Sequence, residues 1–275
     1  MPAMCAPRSR RPLGPSLPPD LGRIGRRALL AAAVAVGVVG PFGAQAQVNL
    51  DAPFDPARLE SRDLRVLQAA LTLTGDYNAL LDGAWGRGSA GALDNWVARR
   101  RGPGPVRMAD LLPLLREWED ERRASGWLGL TLPDLGLSLI VPALLARAQP
   151  FDDPDWRDAV FWRADGGAFQ IIAGRLPEAA RNRLHRDVQQ AHDGDEEQYV
   201  LRRSDLWVTG QLRADGRRAY MRSDLGDAVT VLAQAAPEHR FRLALVAASY
   251  SRRPVPDLSP TPDGLLATLM AEALR

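Results

Sequence analysis

At Gly126 the apolar residues of this chain change their period, and that change divides what the chain can build. Before it they recur at helical spacing, with Leu64, Leu67, Ala70 and Leu71 on one stripe and Leu93, Trp96 and Val97 on another. After it, alternation and β-favouring residues take over, beginning with Leu135 to Val141. A helical stripe and an alternating strand each need a partner layer to bury one face. The sequence therefore predicts an α+β protein: a small helical module followed by an antiparallel sheet domain with helices on one face.

Breaks and turns place the elements. Helices are expected within Ala57 to Arg100, separated by the Gly-, Asp- and Asn-rich stretch Gly75 to Ser89, which must be a shaped loop. The run RGPGP at 101–105 stops the second helix, and a third is expected over about Met108 to Ala124 with Leu111, Leu112, Leu115 and Trp118 on one side. Ala159 to Arg163 and Ala168 to Ala173 flank Asp165-Gly166-Gly167, a turn sequence suited to a tight hairpin. Pro177 opens a helix over Glu178 to Ala191. A strand over Gln198 to Arg203 leads to Leu206 to Leu212, the turn Ala214-Asp215-Gly216 and Arg218 to Arg222. Asp227 to Gln234 and Phe241 to Tyr250 are read as further strands, and Pro262 to Leu274 as a closing helix. The expected division is a signal peptide at 1–46, the helical module at 47–105, a linker helix at 106–126 and an α+β domain at 127–275.

Residues 23–46 have the parts of an export signal in order. Arg23, Arg26 and Arg27 precede the apolar run Ala28 to Val39, and Ala44 and Ala46 fit a cleavage site with the cut after Ala46. The apolar run is too short for a permanent membrane anchor, so a periplasmic or secreted mature protein is expected. Six arginines and one aspartate precede Gln47, so removing that stretch takes a net +5 from a chain of net +2 and leaves −3. No basic stripe with interleaved aromatics remains, and nucleic acid is set aside as a partner. The single cysteine, Cys5, also lies in the leader, so the mature protein is expected to have neither a disulfide nor a thiolate site.

Leu64, Leu67, Gln68, Leu71, Gly75, Tyr77, Leu81, Asp82, Gly83, Trp85, Gly86, Ser89, Ala92 and Trp96 are spaced like a known motif. In this pattern the segment 60–100 resembles the peptidoglycan-binding domain of the three-helix type that accompanies many wall hydrolases and wall-anchored proteins. It departs from that pattern at Ser89, where threonine is usual, and at Asn95-Trp96-Val97, where an aromatic followed by glutamine is usual. Several motif residues have structural work of their own. Gly75 is expected to end the first helix, Gly83 and Gly86 to supply unusual backbone shapes, and Ser89 to cap the next helix. The resemblance implies peptidoglycan as partner. Tyr77 and Trp85 would stack on sugar faces or peptide methyls, while Asn78, Asp82 and Arg87 would bond amides and carboxylates of a stem peptide.

A looser resemblance, carried by Leu206-Trp207-Val208-Thr209-Gly210 and Tyr220-Met221-Arg222, links the C-terminal region to PsbP-like α+β domains. Such domains are usually non-catalytic, and Trp207 and Tyr220 read as core or cross-strand residues.

The sequence assembles no catalytic constellation. His185, His192 and His239 have no second ligand pair nearby in sequence, and the first two read as solvated helix residues. There is no Gly-x-Ser-x-Gly elbow, and Ser249 lies in an apolar run. Asp152, Asp153 and Asp155 surround Pro154, which suggests a surface turn. The expectation is a non-enzymatic, wall-associated protein with no cofactor and no metal, and with other envelope proteins as further partners. The alternative is a wall hydrolase or the regulatory remnant of a protease lineage.

Overall fold

The computed structural model describes residues 48–193, 198–255 and 258–275. The expected leader, with its cut after Ala46, lies outside the described residues. Among those residues no helix is long and apolar enough to cross a membrane.

The chain is α+β, and the described residues form one compact unit. Helix α1 (Ser61–Leu73) buries Leu64, Leu67, Gln68 and Leu71, positions three and four apart that share one face. Helix α2 (Arg87–Arg101) buries Ala92, Leu93, Trp96 and Val97 and ends in Arg99, Arg100 and Arg101, where cations complement the helix dipole. Helix α3 (Leu111–Ser125) buries Leu111, Leu114, Leu115 and Trp118, and Gly126 ends it in the left-handed conformation.

The expected linker helix is therefore no linker. Its apolar stripe lies in the same core as α1 and α2, and that core is completed from the far end of the chain by Leu266, Leu269, Met270 and Ala273 of helix α6 (Leu265–Ala273). The returning chain is held by hydrogen bonds. The amide of Thr261 donates to the buried Asp63 carboxylate at 2.7 Å, and Arg62 Nε donates to the Ser259 carbonyl at 2.7 Å. The stretch 47–105 thus shares its core with distant segments instead of closing one alone.

The strands form two sheets. Strands β1 (Trp127–Leu132) and β2 (Leu137–Pro142) make a separate antiparallel pair. Strands β3 (Ala146–Gln149), β4 (Arg157–Ala164), β5 (Phe169–Arg175), β6 (Val200–Arg202), β7 (Leu206–Leu212), β8 (Arg218–Asp224) and β9 (Val229–Ala235) form an antiparallel sheet in the order β3-β4-β5-β9-β8-β7-β6. The β4–β5 turn takes positive φ at Gly166 and Gly167, and the β7–β8 turn does so at Gly216, as their sequences require.

Two expectations are corrected here. Residues 241–250, read as a strand, belong mostly to helix α5 (Arg240–Ala248). Leu243 and Val246 enter the sheet core, while Leu245 enters the helical core. A helix buried on both sides shows no polar face, so its apolar run resembles a strand. The large sheet is also covered on both faces, not one. Val231 and Ala233 of β9 pack with α5, whereas Leu232 and Met221 pack with Leu176, Ala180 and Val188 at helix α4 (Glu178–Gln190). Successive strand residues point to opposite faces, and both sets here are apolar.

Leu245 tests whether the two cores act as one. Leu245→Ala is expected to cost about 2–5 kcal/mol, with tryptophan fluorescence and far-ultraviolet circular dichroism tracing one urea transition. Two separated transitions would contradict a single cooperative unit.

Candidate functional site

The loop from Thr74 to Gly86 has almost no regular structure, so its backbone needs other partners. One side chain of α1 supplies many of them. The Gln68 carboxamide is fully buried, and its Oε1 accepts from the Gly83 amide at 2.9 Å. Its Nε2 faces four acceptors: Asp82 Oδ1 at 2.9 Å, the Ala84 carbonyl at 3.0 Å, the Tyr77 hydroxyl at 3.2 Å and Ser89 Oγ at 3.3 Å. An amide nitrogen has two hydrogens, so the two nearest acceptors hold the strongest claim. Asp82 Oδ1 also accepts from the Ala84 amide at 2.9 Å, which closes a local turn. The motif residues Gln68, Tyr77, Asp82, Gly83 and Ser89 are thus joined by one buried amide.

Steric limits fix the same loop. Gly83 has φ +71°, and a Cβ there would lie 2.3 Å from the Ser61 carbonyl oxygen. Gly75 has φ +81° and ends α1 against the ring of Phe241 from α5. The Leu81 amide donates to the Ala248 carbonyl at 3.0 Å, tying the loop to the end of α5. Arg99 of α2 grips the Asp76 carboxylate with both terminal nitrogens, and Thr74 Oγ1 donates to the same carboxylate at 2.6 Å.

The five residues expected to touch ligand divide. Tyr77 is 7% exposed; its hydroxyl donates to the Leu80 carbonyl at 2.9 Å, and burial above all raises its pKa. It belongs to the core and offers no stacking face, a correction to the sequence reading. Asn78, Asp82 and Arg87 are exposed. Trp85 is half-buried, edge-to-face with Phe54 at 5.4 Å between ring centroids. Leu80, which the motif does not include, is 49% exposed in the same loop. Two further motif roles change. Ser89 is buried inside the first turn of α2 and does not cap it; Gly86 holds the cap position, with an extended backbone that any residue could adopt.

The catalytic candidates are also placed. Asp153 accepts from the Asp155 amide at 2.9 Å and Asp155 pairs with Arg183, a surface turn. Ser249 donates to the Val246 carbonyl and accepts from the Ile140 amide at 2.9 Å, within the fold. Among the described residues no group of three or more His, Cys, Asp or Glu is placed to hold a metal ion. His185, read as solvated, is fully buried on the sheet-facing side of α4. Its Nδ1 lies 2.8 Å from Thr209 Oγ1 and its Nε2 3.0 Å from Ser223 Oγ, and its ring stacks on Trp207 at 4.0 Å. Its partners lie on distant strands, so nothing local in the sequence revealed them.

No protein-family model matches the chain, and no match was found among curated proteins or solved structures.

Four substitutions and one titration check this geometry. Gln68→Leu strands several buried polar groups and is expected to cost about 1–3 kcal/mol for each one left unpaired, with faster hydrogen exchange at the Gly83 amide. Gly83→Ala is expected to destabilise by at least about 1 kcal/mol, whereas Gly91→Ala, in open space on α2, should stabilise by up to about 1 kcal/mol. Equal effects at the two glycines in urea unfolding would refute the steric assignment. Burial, with Arg181 and Arg202 adding, holds the His185 pKa down to about 4 from an ordinary 6.5. The unfolded chain therefore binds the proton first as pH falls. Stability present above pH 6.5 should drop by an amount on the order of 3 kcal/mol as pH approaches 4. An unchanged pH slope in His185→Gln would remove His185 as its source.

Proposed function

We propose that the chain binds peptidoglycan non-catalytically through the exposed part of the loop at 78–87. In this reading Trp85 and Leu80 offer apolar contact to sugar faces or peptide methyls, and Asn78, Asp82 and Arg87 offer hydrogen bonds and charge. The observation that carries it is the Gln68 knot: a loop tied from within by a buried amide holds its outer side chains in one arrangement before any ligand arrives. Such preorganisation reduces the ordering cost of association. Tyr77, Gly83 and Ser89 contribute by holding the loop, and the resemblance of 60–100 to peptidoglycan-binding domains supplies the ligand class.

The export-like leader supports action in the periplasm or outside the cell. There the loop would concentrate the rest of the chain at the wall, where the sheet would meet other envelope proteins.

Sedimentation with purified sacculi tests the reading. The full chain is expected to co-sediment, and Trp85→Ala and Arg87→Ala to weaken binding roughly ten-fold each, about 1.4 kcal/mol, without loss of the folded circular dichroism spectrum. Binding unaffected by both changes would overturn the assignment. Clearing of the sacculi would overturn the non-catalytic part and favour a wall hydrolase.

A further inference from the structure

The face of the sheet under α4 carries a second opening, away from the loop at 78–87. A groove of about 310 Å³ lies between α4, the edge strand β6 and its neighbour β7, lined by Asn182, Arg186, Gln189, Val200, Arg202 and Trp207. Asn182, Arg186 and Gln189 fall four and three residues apart, on one stripe of α4. Two arginines line the groove, and among the described residues no carboxylate does.

Among the residues that line the groove, Trp207 carries an unanswered donor. Trp207 is 5% exposed, and its indole Nε1 is buried without a hydrogen-bond partner among the described residues. Buried N–H groups nearly always have an acceptor, so such a group calls for an explanation. One side of that indole is occupied by the parallel ring of His185, whose two nitrogens are engaged by Thr209 and Ser223. The guanidinium carbon of Arg202 lies 4.3 Å from the Trp207 ring centroid. A guanidinium stacked in this way keeps its in-plane N–H groups available for a planar or tetrahedral oxyanion.

We propose that this groove binds a ligand bearing a carboxylate or phosphoryl group, held between Arg186 and Arg202, with one oxygen accepting from the Trp207 indole. The chemistry is donor-rich throughout: two guanidiniums, an indole N–H and the amide of Asn182. The groove exceeds the size of a single inorganic oxyanion, so the ligand carries a body, and Val200 and the edge of Trp207 provide apolar contact for it. Burial is the main reason His185 stays neutral, and Arg181 and Arg202, which add to that effect, also favour an anion nearby. This site stands whether or not the loop at 78–87 binds murein.

The indole N–H itself is the readout. In proton–nitrogen correlation spectra of the full chain, Trp207→Phe identifies the Trp207 indole resonance, and phenyl phosphate, benzoate and uncharged benzyl alcohol are titrated separately. The expected result is a saturable downfield shift with at least one of the anions, none with benzyl alcohol, and weakening with added salt. The stronger response assigns the group, phosphoryl for phenyl phosphate and carboxylate for benzoate. Arg186→Gln and Arg202→Gln should each weaken the response at least ten-fold. Arg186 is exposed, so its variant keeps the fold and decides the matter if Arg202→Gln unfolds. No saturable shift with either anion, an equal response to benzyl alcohol, or undiminished affinity in Arg186→Gln would overturn the proposal.

Discussion

A single buried carboxamide, that of Gln68, gives shape to a loop that has no ladder or helix to shape it. It gives the Gly83 backbone an acceptor and meets Asp82, Ala84, Tyr77 and Ser89 as a donor. Burying such a group is favourable only when its hydrogen bonds are made, so the loop and the residue require each other. Gly83 enters because the backbone must pass within contact of Ser61, where a side chain has no room. The outward set of Asn78, Leu80, Asp82, Trp85 and Arg87 is a consequence of what is held inward.

The second constraint is α5, which joins two cores. Leu245 packs among the helices and Leu243 and Val246 under the sheet, while Phe241 meets Gly75 and the Ala248 carbonyl receives the Leu81 amide. Glu121 of α3 and Arg242 of α5 add an ion pair at 2.6 Å across the same junction. The loop is therefore braced by a helix that belongs equally to the sheet. In energetic terms the sheet is part of the support of the loop, whatever else it contacts.

Much of this was legible in the sequence where the causes are local. The two hairpins follow from Asp165-Gly166-Gly167 and Asp215-Gly216, and α1, α2, α4 and α6 from their stripes and stops. The motif spacing marked the loop and named Asn78, Asp82, Trp85 and Arg87, all of which reach the surface at least in part. What escaped depends on distant partners. Tyr77 turns inward because Gln68 and the Leu80 carbonyl take its hydroxyl, and no local pattern separates an inward from an outward tyrosine. The apolar run of α5 has no period because it is buried on both sides. α3 reads as a connector until α6, far along the chain, arrives to cover it. His185 stands among arginines and amides on α4, and only Thr209 and Ser223 on other strands explain its burial.

The proposed wall-docking role turns most directly on whether, and where, murein touches the chain. Soluble muropeptides added to the nitrogen-15-labelled protein should shift backbone amides concentrated in residues 78–88, together with the Trp85 indole, and leave the sheet amides unchanged. Shifts confined to other segments, or none at muropeptide concentrations that saturate sacculi-binding proteins, would contradict a loop preorganised to meet the wall.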